Sequence, residues 1–313
     1  YWVDDLDLTD ADVLRACLAD VGLPGELLAE SEGAAIRQAL FTATDEAIAR
    51  GVFGAPALFV HGRGPYGDEP EGLQLFWGQD RLDFVALALG GQPPADPEAP
   101  SASCPVELWF DYSSPFARLG VARAARLLGP SATLRPMLLG ALFRSLGGPL
   151  VPIHTFSASK RAYVERDLMR QARQAGVALR WPSRFPLHTV LALRVTLAAQ
   201  ERDPVAGEAL IHRIFAACWE QDRDPADPDV LDACCAEVGL PGPALRAAAE
   251  APEGKRALFA ATAQAEARGV FGAPTCVVAP DSAEPALFWG NDRLHLAASD
   301  ARRRIAAGPA RDL

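Results

Sequence analysis

The chain has 313 residues, half of them apolar and 22% charged, with a formal net charge of −10. That length suits one to three domains with cores of ordinary size, and the acidic balance argues against a nucleic-acid groove, which needs clustered Lys and Arg. No apolar run approaches the roughly 18 residues of a membrane-spanning helix, and no signal peptide is visible, although an upstream leader stays open. The six cysteines are Cys17, Cys104, Cys218, Cys234, Cys235 and Cys276, and none forms a C-x-x-C pair. They read as buried free thiols that act as small hydrophobes in a reducing cytoplasm, with no metal site expected.

Taken in chain order, the first signal is a repeat. Residues 2–25 align without gaps with residues 219–242, and 15 of the 24 positions are identical. Further on, ARGVFGAP recurs at 49–56 and 267–274, and LFWGQDRL at 75–82 matches LFWGNDRL at 287–294. Between these two motifs the first copy is six residues longer, and residues 61–72 read as a polar, Gly-rich loop. Residues 1–90 are therefore expected to be the rear part of a first copy, with a hairpin near 57–60 and 74–77. Residues 91–103, rich in Pro and Gly, read as a semi-extended linker. Residues 104–313 read as a complete copy. Residues 106–217 have no counterpart in the first copy, and truncation of a longer tandem protein is the simplest account.

In the complete copy, VELWF at 106–110 is a β-prone run bounded by Pro105 and the turn-prone DYSS. Pro115 suits the first position of a helix, which stops at Gly129-Pro130. ATLRPMLL at 132–139 completes a β-α-β unit. Helices are predicted over 155–175, around 190–197 and 211–218 by their i, i+3, i+4, i+7 spacing, and over 228–237, 243–250 and 254–268. TCVVA at 275–279 and ALFWG at 286–290 read as two strands, and a closing helix follows from Asp292.

Ser114 lies where a strand meets a helix, where free N–H groups and the positive helix end favour an anion. A hydroxyl donor beside those free N–H groups can hold an anion there. An ordinary helix cap explains the same serine.

FDYSSPFARLG at 110–120, PMLLGALFRSLGGP at 136–149, KRAYVERDLM at 160–169, GVFGAPT at 269–275 and LFWGNDRL at 287–294 follow one another in an order and spacing that resemble the glutathione-dependent 2-hydroxychromene-2-carboxylate isomerases, relatives of kappa-class glutathione transferases. The match covers essentially all of residues 105–305. The resemblance implies an α/β, thioredoxin-like fold of the DsbA and kappa glutathione transferase type, with an all-helical insertion at about 155–268, in tandem with an incomplete first copy. It implies glutathione as cofactor, with Ser114 catalytic and in contact with the thiol. Ala273 and Pro274 would offer backbone at a cis peptide bond to the cysteinyl unit, and Asn291 and Asp292 would meet the γ-glutamyl end. The chain departs from the family at Gly147-Gly148-Pro149, where an Asn commonly contacts glutathione. Lys160 and Tyr163 match family positions but suit a solvated helix face as well. His154 and His188 are expected at the surface or in the core.

The function implied is interconversion of 2-hydroxychromene-2-carboxylate and trans-o-hydroxybenzylidenepyruvate in the catabolism of naphthalene-like aromatics, by a cytoplasmic homodimer or a pseudo-dimer of tandem copies. The alternatives are a kappa-like transferase or peroxidase that consumes glutathione, and a non-catalytic glutathione-binding module. A dithiol oxidoreductase needs a second cysteine three residues after the first, and here Ser114 and Ala117 stand at those places.

Overall fold

The structure is a computed structural model that describes residues 2–92, 99–100, 104–130 and 132–307. It divides into two compact units, one up to Ala57 and one from Leu58 onward. Much of the expected linker, residues 93–98 and 101–103, lies outside the described residues.

The first unit holds three helices, α1 (Ala11–Asp20), α2 (Leu27–Ser31) and α3 (Ala34–Ala49). Asp10 caps α1 by accepting from the Asp12 N–H at 2.8 Å. None of the three helices contains a buried residue. The expectation of a buried Cys17 is corrected here, for Cys17 is exposed while its repeat counterpart Cys234 is buried. The difference is one of cover. Cys234 lies in a core with Leu210, Ile214 and Phe215, and those residues belong to the segment without a counterpart in the first copy.

The second unit opens with strands β1 (Ala57–Gly62) and β2 (Gly72–Trp77), which pair only with each other, and a seven-residue helix α4 (Leu82–Ala88). Val60, Phe76 and Phe84 form its small core. The main sheet has the order β4-β3-β5-β6. Strand β3 (Val106–Phe110) runs parallel to β4 (Ala132–Pro136) and antiparallel to β5 (Thr275–Val278), which pairs antiparallel with β6 (Ala286–Trp289). The four segments expected in one sheet are thus in one sheet, with β4 ending three residues earlier than the apolar run suggested.

Alternation along β3 sorts the two faces. Val106, Leu108 and Phe110 point into the larger core, and Trp109 points into a smaller one with Met137, Leu142 and Val277. Helix α5 (Pro115–Leu128) and helix α13 (Leu294–Ala307) cover the first face, and α6 (Leu139–Ser145) lies on the second. The helical insertion comprises α7 (Ala158–Ala175), α8 (Val190–Arg202), α9 (Pro204–Trp219), α10 (Pro228–Glu237), α11 (Gly242–Glu250) and α12 (Pro252–Ala267). Its boundaries are set by local chemistry. Asp203 and Asp227 cap α9 and α10 with Pro in the first turn, and Gly176 ends α7 in the left-handed region at φ 65°. The insertion packs as a layer of its own: α8 lies against α9, α11 and α12, and α7 leaves that layer to pack on α5.

Candidate active site

Ser114 stands at the end of β3, and the loop that carries it is pinned from every side. Asp111 accepts from the Ser113 N–H at 2.9 Å, the Thr189 hydroxyl at 2.7 Å and the Leu139 N–H at 2.8 Å. Burial pushes the Asp111 carboxyl up from its ordinary range despite these donors. The next residue, Tyr112, shares a hydrogen bond of 2.6 Å with Thr196, and its carbonyl accepts from the Trp219 indole at 2.7 Å. Trp219 is itself fully buried against Trp181. Three separate elements therefore fix the backbone that aims Ser114.

Ser114 does two things at once. Its oxygen accepts from the Ala117 N–H at 3.1 Å, which makes it the cap of α5, and its hydroxyl donates to the Ala273 carbonyl at 2.9 Å. The cap and the reach across to a residue 159 positions away are both present. Ala273-Pro274 is cis. Gly120 on α5 lets the proline approach, since a Cβ there would stand 3.0 Å from a Pro274 ring carbon. The Pro274 carbonyl accepts from the Gly290 N–H at 2.9 Å, which brings the 290–293 turn beside the proline.

Asn291 and Asp292 belong to a short 3-10 turn (Asn291–Arg293), and α13 begins only at Leu294, so they precede the closing helix rather than open it. Asn291 is buried. Its Nδ2 donates to Gln171 at 2.8 Å, its carbonyl accepts from Arg123, and its Oδ1 has no partner among the described residues. Asp292 is partly open to solvent and accepts from Arg81 at 2.9 Å. The site thus gathers Ser114, Ala273, Pro274, Asn291 and Asp292 along one continuous set of contacts.

Sequence reasoning missed Arg81, which comes from the other repeat. Its Nε donates to both oxygens of Asp167 on α7, at 2.9 and 3.0 Å. Paired carboxylates hold its guanidinium charge more tightly than usual despite burial. Tyr163 on the same helix accepts from the Trp77 N–H at 2.9 Å, and Lys160 lies over the Trp77 ring at 5.4 Å. These residues of α7 are therefore not a solvated face. The signal was available, for an Asp-Arg pair follows Trp-Gly in both copies. The 61–72 loop adds Glu69, which binds Arg170 bidentately at 2.7 Å for each bond, while Arg170 lies over Phe76. His154 and His188 are both exposed. Leu146 to Gly148, at the departure from the family pattern, close α6, with the Gly148 N–H on the Phe143 carbonyl at 2.8 Å.

Among the described residues no group of His, Cys, Asp and Glu could hold a metal ion, and no helix is long and apolar enough to cross a membrane.

Comparison with known proteins gives the family. The model of the DSBA-like thioredoxin domain matches residues 1–90 and 105–301. A 2-hydroxychromene-2-carboxylate isomerase of Sphingobium xenophagum is 30% identical over 192 residues, which are 60% of this chain and 93% of that protein. A solved 2-hydroxychromene-2-carboxylate isomerase superposes with a TM-score of 0.55 at 21% identity, over 63% of this chain and 94% of that one. A probable DsbA oxidoreductase from Streptomyces coelicolor gives 0.53 at 20% identity, over 67% and 93%. The chain belongs to the DSBA-like thioredoxin domain family and, within it, to the family of the 2-hydroxychromene-2-carboxylate isomerases.

Proposed function

We propose that the chain is an isomerase that uses glutathione to interconvert 2-hydroxychromene-2-carboxylate and trans-o-hydroxybenzylidenepyruvate. The observation that carries this reading is the Ser114 hydroxyl, held at the start of α5 and on the carbonyl that precedes a cis proline. A serine there can turn its single hydroxyl hydrogen from the Ala273 carbonyl to a thiolate but cannot form a disulfide, which suits a thiol that is borrowed and returned.

The residues fit glutathione. The Ala273 carbonyl keeps a second lone pair, and no described residue accepts from its N–H, so its backbone can pair with the cysteinyl unit by strand addition. Asp80, Asp167 and Asp292 face Arg81 and Arg293, three carboxylates against two guanidiniums. The net negative charge suits the α-ammonium of a γ-glutamyl group at Asp292. Glutathione held there would supply a nucleophilic thiol for reversible addition to the unsaturated acid. The chain's share is to lower the thiol pKa through Ser114 and the α5 amide groups, and to hold the aromatic acid. A groove lined by Trp181, Phe185, Ile153, His154, Arg161 and Glu165 offers ring faces and a guanidinium to such an acid, with the Glu165 carboxylate as the one opposing charge.

We further propose that residues 1–90 are the rear part of another copy of the same domain. The gapless repeat and the unburied helices α1 to α3 support this. The function is tested by following chromene-acid absorbance with and without glutathione. Isomerisation that needs glutathione and leaves its concentration unchanged supports the reading, while stoichiometric consumption of glutathione would assign the chain to transferase or peroxidase chemistry.

A further inference from the structure

Trp219, the last residue of α9, touches the aromatic groove on one side and the Ser114 loop on the other. A strap of residues 180–185 supplies Trp181, Ser183 and Phe185 to the groove wall. This strap is tied to the segment that follows α9. Asp222 accepts from the Ser183 N–H at 2.7 Å and from its hydroxyl at 3.0 Å, and Asp224 accepts from Arg184 at 2.9 Å. Asp222 makes its bonds from a left-handed backbone, φ 58°, which Asp tolerates better than most residues but less well than Gly. Held in this way, Trp181 and Phe185 stand edge-on to the Trp219 ring at 5.8 and 6.4 Å, and the Arg180 N–H donates to the Trp219 carbonyl. On its other side the Trp219 indole donates to the Tyr112 carbonyl at 2.7 Å. Both residues are fully buried, and among the described residues no other group donates to that carbonyl. Two residues on, Ser114 accepts from the Ala117 N–H and donates to the Ala273 carbonyl. Trp2, the repeat counterpart of Trp219, is 92% exposed, so the local sequence does not bury this indole; the strap and the Ser114 loop do.

We infer that Trp219 is a positioning residue that carries the state of the groove to Ser114. A close-packed interior passes a displacement on rather than absorbing it. A strap that swings away from α9 takes Trp181 and Phe185 off the Trp219 ring, and the ring is then free to tilt. Tilting breaks the bond to Tyr112, and a buried carbonyl without its donor must shift or take up water. Either outcome moves the backbone two residues before Ser114. Packing alone asks only for a ring at position 219; the link to Ser114 asks for the N–H. The consequence for turnover rests on the reading of the groove as the seat of the aromatic acid. An acid seated between Trp181 and Arg161 keeps the strap on Trp219, so the Ser114 hydroxyl is in place when the thiol is needed. An empty groove leaves that restraint to the Asp222 and Asp224 clamp.

The test reads the Ala117 amide, because Ser114 caps it and its hydrogen exchange reports where Ser114 stands. Exchange is followed by NMR on the full chain without glutathione, with the Val277 amide of the main sheet as the control for global stability. Asp222→Gly removes the clamp and keeps the left-handed backbone. It should speed Ala117 exchange roughly tenfold, about the effect of one lost hydrogen bond. In a chain that carries Trp219→Phe, where Ala117 exchanges faster from the outset, Asp222→Gly should add nothing, because the link is already cut. If Trp219→Phe does not fold, 3-benzothienylalanine in place of Trp219, with sulfur where the N–H stood, enters the cycle instead. An Ala117 amide that Asp222→Gly leaves unchanged, or speeds equally in both backgrounds, overturns the inference. Turnover supplies the second readout. Trp219→Phe should lower kcat about tenfold while KM for the chromene acid stays within roughly twofold. A rise in KM alone would make Trp219 part of the groove wall and overturn its positioning role. A chain that isomerises nothing with glutathione refutes the isomerase reading, and the exchange cycle then decides the link by itself.

Discussion

Replacing Ser114 with alanine separates a helix cap from a catalytic donor, because the structure predicts both losses and they appear in different measurements. The variant deletes the acceptor for the Ala117 N–H and the donor to the Ala273 carbonyl. A lost cap costs about 1 kcal/mol, and a lost neutral hydrogen bond about another 1 kcal/mol. Together they should lower the melting temperature by roughly 4–8 °C, at about 2–4 °C per kcal/mol for a unit of this size. Loss of a hydrogen bond to a charged thiolate removes about 1.5–3 kcal/mol, or roughly ten- to over a hundredfold in rate if it acts fully in the transition state. The assay is turnover of the chromene acid at saturating glutathione across pH, well below the melting point. The rate should fall by that factor, and its rise with pH should move to higher pH, because the bound thiol regains its ordinary acidity. A melting temperature that drops while rate and pH profile stay as in the wild type would show that Ser114 is only the cap of α5, and would refute the mechanism.

Further outcomes follow from other parts of the molecule. Arg170→Ala strips a buried guanidinium that binds Glu69 twice and covers Phe76; breaking such a pair from one side should cost about 3–5 kcal/mol, seen as loss of hydrogen-exchange protection in β1 and β2 before the main sheet. Asp300 is desolvated, but its bonds to Arg304 and Arg303 outweigh that and hold its carboxyl below the ordinary range. Its contribution is therefore present above about pH 3.8 and is lost as pH falls through the lower folded value; Asp300→Asn should flatten the acid limb of denaturant midpoints below about pH 4, and an unchanged limb would contradict this. A thiol reagent added to the native chain should modify Cys17 alone, because the other five cysteines are buried and burial pushes the thiols of Cys218, Cys235 and Cys276 up, Cys235 to about 11. Rapid reaction of a second thiol by mass spectrometry would count against the packing described.

The parts of the fold written in local pattern were legible from the sequence. Pro115 behind Ser114 and the β-prone 106–110 run each act over a few residues, and they placed α5 and β3 within a residue or so, while the spacing of 211–218 marked only the second half of α9, which begins at Pro204. The short 3-10 turn before α13 was not legible, because Leu294 is drawn into the core with Ala297 and Ala301 and this sets where the regular helix begins. Nor was the environment of Cys17, since its sequence is that of a buried helix and only the missing cover leaves it exposed. At the site, Ser114 and the Ala273-Pro274 bond were named from motif order. Arg81 escaped because its partners Asp167 and Asp292 lie 86 and 211 residues away. Its place depends on contacts with distant segments, which no local spacing encodes.

The central claim is that this chain borrows a glutathione thiol and returns it. The most direct measurement mixes the chain with 2-hydroxychromene-2-carboxylate and a limiting amount of glutathione, then follows both the acid and the free thiol to equilibrium. Many turnovers per glutathione, with all of the thiol recovered and no conversion in its absence, are the predicted result. Conversion that stops after one equivalent of glutathione, or that proceeds equally well without it, would contradict the account.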